Sequence, residues 1–386
     1  MWRSIASNAL TFFIVLFLLA GGGLIWAQRQ YSGPGPLEEP ICLRVETGST
    51  MGRVSRQLYN DGAISNSTIF RLGARYSEKS GLLKAGSFLV QPGASMEEIV
   101  DAVTRGGRST CGTELNFRIG IVNAEVQLRE LDPATSRYVE VMSFDPASED
   151  IPEDYVEMRA APDLRFRVTL AEGVTSWQVV EELKAADFLN GELEELPAEG
   201  TLAPDSYEVS EGTRRNELVA EMQARQSAIL DELWADRADG LPIETPQDAL
   251  ILASIVEKET GVPEERRQVA SVFVNRLRQG IRLQTDPTVI YGLTEGKAPL
   301  GRGIRQSELR RETPWNTYVI AGLPPTPIAN PGRASIEAAL NPADTDYLFF
   351  VADGTGGHAF AQTLAEHNEN VARWREIEAE RQDEAR

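Results

Sequence analysis

Between Ala9 and Ala27 the chain carries no charged residue, and Leu10, Phe12, Phe13, Ile14, Val15, Leu16, Phe17, Leu18, Leu19, Leu24, Ile25 and Trp26 fill most of the run. About twenty such residues span a bilayer core as a helix, because only a helix satisfies its own backbone there. A cleavable secretory signal is the alternative, but its apolar region is usually ~7–15 residues and ends in small side chains. This run is longer and ends in Trp26, an interface-type residue. Arg3 and the free amine precede it and Arg29 follows it, so the charge bias leans towards a cytoplasmic N-terminus. Everything beyond residue 30 then faces outward, which in an enveloped bacterium means the periplasm. In that oxidising space Cys42 and Cys111 form a candidate disulfide, the alternative being two unpaired buried thiols.

The whole chain of 386 residues is 25% charged and 42% hydrophobic, enough for two or three domains with real cores. A net charge of −20, with no Lys/Arg-rich block, repels phosphate backbones and argues against a nucleic-acid partner. Two cysteines and two histidines, His358 and His367, are too few and too scattered for a zinc site, so no metal and no cofactor is expected.

The fold class expected is α+β. An anchor (1–30) is followed by a linker (31–40) of turn formers, Ser32-Gly33-Pro34-Gly35-Pro36, with nothing to bury. At most ~14 extended residues then separate membrane and first domain, a reach of at most ~50 Å. Residues 41–111 read as βααβα: a strand at Cys42–Val45, helices from Met51 and Ser67, a strand over Leu83–Val90 and a helix opened by Ser95. The two cysteines bracket this unit. From 112 to 163 the pattern alternates, at 116–121 and 138–141, with an acidic loop from Phe144 to Ala161; this β-rich section has no assigned role. A mixed α/β domain occupies 164–386, starting at the alternating 164–170, with helical patterns at 177–186 and 216–235, a hairpin at 347–360 and a charged terminal helix from Leu364.

Thr245-Pro246-Gln247-Asp248 opens a helix with a cap, a proline in its first turn and an acid. The apolar run Ala249–Val256 buries it on nearly all sides, and it ends in Glu257-Lys258-Glu259-Thr260 before Gly261. Counting back three, four and seven residues from Glu259 gives Val256, Ile255 and Leu252; from Glu257 it gives Ser254, Ala253 and Leu250. Glu259 is the better candidate for a desolvated carboxyl at the negative end of a helix dipole, both of which favour the protonated form a general acid needs. Spacing alone equally allows a solvated helix end with ordinary surface charge. After the next helix, Pro263 to Arg278, comes the polar loop Gln284-Thr285-Asp286-Pro287-Thr288, either one wall of a sugar site or a capped turn.

These blocks, from Leu252–Thr260 through Val269–Leu277, Leu283–Gly292, Asn316-Thr317-Tyr318 and Gly322–Ile328 to Phe350–His358, resemble the YceG-like family of membrane-bound endolytic murein transglycosylases. The resemblance extends upstream to Glu172-Gly173-Val174-Thr175 and Pro204–Glu208, and the βααβ unit resembles the family's LysM-like subdomain. The section from about Thr113 to Ala161 has no counterpart in it and reads as an insertion. The resemblance implies that Glu259 is the catalytic acid. It also implies that the reaction cuts the β-1,4 bond between N-acetylmuramic acid and N-acetylglucosamine in nascent peptidoglycan, leaving a 1,6-anhydro end and terminating strand elongation. Gln284, Thr285, Asp286, Tyr291, Asn316 and Tyr318 become candidate sugar-binding residues. The implied partners are glycan strands, the inner membrane through one helix, and penicillin-binding synthases. Two other functions remain open: a hydrolytic muramidase with Asp286 or Glu257 as second carboxylate, and a non-catalytic wall-binding scaffold.

Overall fold

A computed structural model of the protein describes residues 2–46, 48–105, 110–147, 151–159 and 164–384. It is a mixed α+β structure that divides into two compact units, the first built from Met1–Asn116, Gln127–Phe144 and Glu149–Arg165, the second from Phe117–Val126, Asp145–Ser148 and Phe166–Arg386. The division falls at 116/117 and 126/127, inside the section expected at 112–163 and not at its boundary.

The first unit begins with helix α1 (Trp2–Ser32). Its 22 residues Thr11–Ser32 have a mean hydropathy of 1.9, and among the described residues this is the one helix long and apolar enough to cross a membrane. There follow β1 (Ile41–Val45), α2 (Met51–Asn60), α3 (Ser67–Tyr76), β2 (Gly86–Val90) and α4 (Met96–Thr104). Thr50, Asn66 and Ser95 cap the three helices by accepting backbone N–H groups, and Ser95 forms a reciprocal capping box with Glu98. β1 and β2 pair antiparallel with Leu43 opposite Phe88, and both side chains enter a core with Leu58, Phe70 and Val100. Cys42 and Cys111 are bonded, Cα to Cα 5.9 Å.

Residues 31–40 correct the expectation of a free linker. Gly35 N–H donates to Gly93 O (3.0 Å) and Gly93 N–H to Leu37 O (2.9 Å), while Ala27, Tyr31 and Leu37 pack against the core of this unit. The prolines and glycines hold a docked segment, and the ~50 Å reach of an extended chain does not apply.

Strands β3 (Thr113–Ile119), β4 (Ala124–Asp132) and β5 (Arg137–Phe144) follow, with a short helix α5 (Glu153–Arg159). Within the first unit the strand order is β5-β4-β3. β4 alternates Ala124, Val126 and Leu128 inward with polar residues between them, a plain period of two that the sequence reading passed over. The expected loop 144–161 lies partly outside the described residues, and its described part contains α5.

In the second unit the order is β4-β3-β6-β7, with β6 (Arg165–Leu170) antiparallel to β7 (Ser206–Val209) and α6 (Ser176–Lys184) between them in the chain. Then come α7 (Arg215–Ala235), α8 (Pro246–Glu259), a 3₁₀ turn (Pro263–Glu265), α9 (Arg266–Arg278), α10 (Asp286–Thr294), α11 (Gln306–Leu309), α12 (Arg333–Leu340), the hairpin β8 (Phe349–Ala352) and β9 (His358–Ala361), and α13 (Leu364–Glu384). α8 is the centre of this unit. Every residue from Ala249 to Val256 is buried, and α8 packs against both α9 and α12. Each large apolar side chain in that run contributes roughly 1.5–3 kcal/mol by leaving water. Ser254 is accommodated because its hydroxyl donates to Ile251 O (2.7 Å) and accepts the Ile328 N–H (3.0 Å).

Candidate active site

The apolar run of α8 carries its last turn to the edge of the core, where Glu257, Lys258 and Glu259 emerge half-buried. The three diverge. Glu257 accepts the N–H of Gly332 (2.9 Å), the residue that caps α12, so its carboxylate serves a helix N-terminus. Lys258 reaches Gly173 O (3.2 Å). Glu259 accepts a short hydrogen bond from the hydroxyl of Thr285. Burial lifts the Glu259 carboxyl to about 6; the charge of Asp286 adds to the rise, while the Thr285 hydroxyl and the positive charges of His358 and Arg276 act against it.

Thr285 is placed by the chain around it. Gln284 takes a left-handed conformation (φ 50°), a strain of order 1–2 kcal/mol for a residue other than glycine. Its N–H donates to Thr317 O (3.2 Å), and the next N–H, of Thr285, to the Thr317 hydroxyl (3.1 Å). Thr288 closes this buried cluster, touching the Thr317 hydroxyl (2.8 Å) and donating to Thr285 O (2.7 Å). The polar loop expected over 284–288 is therefore shorter: Asp286-Pro287-Thr288 is the first turn of α10, with proline where a helix N-terminus tolerates it. Asp286, exposed at that end, accepts the hydroxyl of Tyr318 (2.7 Å).

Of the candidates, Thr285, Asp286 and Tyr318 thus assemble with Glu259, and Gln284 points its side chain to solvent beside them. Two are turned elsewhere. The Tyr291 hydroxyl donates to Glu199 (3.1 Å) and its ring meets Trp315. Asn316 is 1% exposed, and its amide nitrogen is committed to the carbonyls of Glu308, Leu309 and Arg311. Asn316 therefore holds the loop that presents Thr317 and Tyr318, and has no donor left for a sugar.

Other participants escaped the sequence reading. Arg276 is 8% exposed and donates to Leu348 O and Leu283 O (both 2.7 Å), tying the segment before Gln284 to the hairpin. Its signal was its place, four residues after Val272 and three after Phe273, on the apolar face of α9. His358, at the start of β9, is fixed by Glu265, which accepts its N–H (2.9 Å) and lies 2.8 Å from its Nδ1. Among the described residues no group of three His, Cys, Asp or Glu is arranged to hold a metal.

The family model described as YceG-like matches residues 43–136 and 141–373. The chain belongs to the YceG-like family. This match runs through most of 112–163, so the section expected to be an insertion lies largely inside the family pattern. The YceG-like chain is 27% identical over 355 residues to an endolytic murein transglycosylase of Bacillus subtilis (strain 168), covering 91% of this chain and 89% of that protein. It is 27% identical over 382 residues to one of Streptococcus pneumoniae (serotype 2, strain D39), covering 94% of this chain but 64% of that longer protein. A crystal structure of a yceG-like protein from Listeria monocytogenes, 24% identical, covers 86% of this chain and 98% of its own with a TM-score of 0.45.

Proposed function

We propose that the protein is an endolytic lytic transglycosylase of peptidoglycan, with Glu259 as its single acid and base. The observation that carries this reading is the Glu259 carboxyl itself, lifted to about 6 by burial and aimed by the Thr285 hydroxyl. A carboxylic acid protonated near its working pH can protonate the glycosidic oxygen as the bond to the muramic C1 breaks. The resulting carboxylate takes the proton of the muramic C6 hydroxyl as that oxygen closes on C1. One strand leaves with a free hydroxyl, the other with a 1,6-anhydro end, and water is not consumed. The nucleophile belongs to the substrate, so the second carboxylate of ordinary glycosidases is not needed. The neighbouring carboxylates favour this over a muramidase: Glu257 is engaged by the Gly332 N–H, and Asp286, held by the Tyr318 hydroxyl, is in this reading a sugar-binding group. The names of the relatives point to the same chemistry.

In this reading Gln284, Asp286 and Tyr318 bind sugar hydroxyl and acetamido groups. The β1–α2–α3–β2 unit is LysM-like and contacts glycan. α1 crosses the inner membrane once, with the rest of the first unit and the second unit in the periplasm, and the substrate is glycan newly made by penicillin-binding synthases, whose elongation the cut terminates. Glu259→Gln tests the assignment: it keeps shape and glycan binding but loses the transferable proton, so strand cleavage should fall by roughly 10²–10⁴-fold. Near-normal cleavage by a folded variant would refute it.

A further inference from the structure

We infer that one face of α3 lies on the anionic phospholipid surface from which α1 emerges. The inference rests on the proposal that α1 crosses the membrane. The end of α1 does not swing freely. An added Cβ at Gly73 would lie 2.1 Å from the ring of Tyr31, so only glycine lets α3 approach α1 this closely. The Ser65 hydroxyl donates to Gln30 Oε1 (2.8 Å). Gln30 and Tyr31 are adjacent in α1 yet meet positions eight residues apart, Ser65 and Gly73, so α1 ends across α3 rather than alongside it. A helix lying across the end of a membrane span lies along the membrane plane.

The remaining surface of α3 suits that position. Ile69, Phe70 and Ala74 face the core, and Gly73 faces α1. Thr68, Arg71, Leu72, Arg75 and Tyr76 form one exposed stripe at helical spacing. Tyr76 is 92% exposed and Leu72 57%, an unusual outlay of apolar surface beside two arginines. Within α3 itself the charged residues are Arg71 and Arg75, both basic, in a chain whose net charge is −20. Leucine and tyrosine that dip into the interface beside arginines that reach phosphates are the composition of an interfacial amphipathic helix. Trp26, 57% exposed and five residues before Tyr31, adds an aromatic ~7.5 Å further along α1, the depth expected of an interface belt.

The test uses the full chain in nanodiscs containing phosphatidylglycerol, with the native disulfide intact and one added cysteine carrying a fluorophore, in turn at Tyr76, at Leu18 in α1 and at Val141 on β5. A lipid-borne quencher deep in the acyl chains should quench the Leu18 label and a shallow one the Tyr76 label, and aqueous iodide should quench the Tyr76 label several-fold less than the Val141 label. Arg71→Glu with Arg75→Glu, or a zwitterionic bilayer, should return the Tyr76 label towards iodide. If Leu18 is in lipid while Tyr76 meets iodide as readily as Val141, this inference fails and the anchor stands. If Leu18 meets iodide, both fail. A Tyr76 label shielded from both quenchers would mean that a second protein surface covers the face, which also overturns the inference.

Discussion

In Glu259→Gln the side chain keeps its length and its Oε1 still accepts from Thr285, but no charge has to be held in the core edge. The wild-type carboxyl is lifted from an ordinary 4.5 to about 6. Above pH 6 the group is ionised both folded and unfolded, and the folded state carries the whole cost of the shift, about 2 kcal/mol. Below 4.5 it is protonated in both states and the cost disappears. The variant should therefore be more stable than wild type by up to about 2 kcal/mol at pH 8, with the gain shrinking as pH falls through 6 and gone near pH 4. Urea unfolding followed by tryptophan fluorescence suits the measurement, since Trp177, Trp234, Trp315 and Trp374, four of the six tryptophans, lie in the second unit. A variant less stable at pH 8, or a difference unchanged between pH 8 and pH 4, would refute the claim that Glu259 is a desolvated acid.

Further outcomes follow from the same geometry. Glu257→Gln still offers an oxygen to the Gly332 N–H, so cleavage of purified strands should fall by less than about tenfold, far short of a lost general acid; an equal loss at 257 and 259 would revive a two-carboxylate mechanism. Thr285→Val removes a hydrogen bond that lowers the Glu259 pKa, and Asp286→Asn a charge that raises it; the alkaline limb of kcat/KM should move up in the first and down in the second, and movement in one direction for both would contradict the electrostatics. Replacing Cys42 and Cys111 by serine reopens a separation of 69 residues and should destabilise the first unit by about 4 kcal/mol on loop-closure entropy; two alkylatable thiols in wild-type protein from the periplasm would show that no bridge exists there.

What could be read from the sequence was whatever depends on neighbours a few residues away. α8 follows from its cap, its proline and an unbroken apolar run, and Glu259 stands out because Leu252, Ile255 and Val256 lie beneath it. The cores of α2, α3 and α4 follow from the same periodicity. What escaped depends on partners distant in sequence. Asn316 and Tyr318 stand two residues apart in one polar run, yet one is locked onto three carbonyls and the other reaches Asp286. The docked segment after α1 looked like a linker because glycine and proline have little side chain to bury, whereas its anchoring uses backbone groups and the bare α-carbon of Gly73. Glu265, a first-turn acid in the sequence, acquires its role only when the hairpin brings His358 to it.

The most direct test of the central claim is the mass of the ends made when the full-length protein digests purified, uncrosslinked glycan strands. Internal cuts that leave muramic ends lighter by one water than the hydrolytic product, present with wild type and absent with Glu259→Gln, are the expected result. Reducing muramic ends that carry oxygen from labelled water would contradict a mechanism in which the substrate's own C6 hydroxyl is the nucleophile.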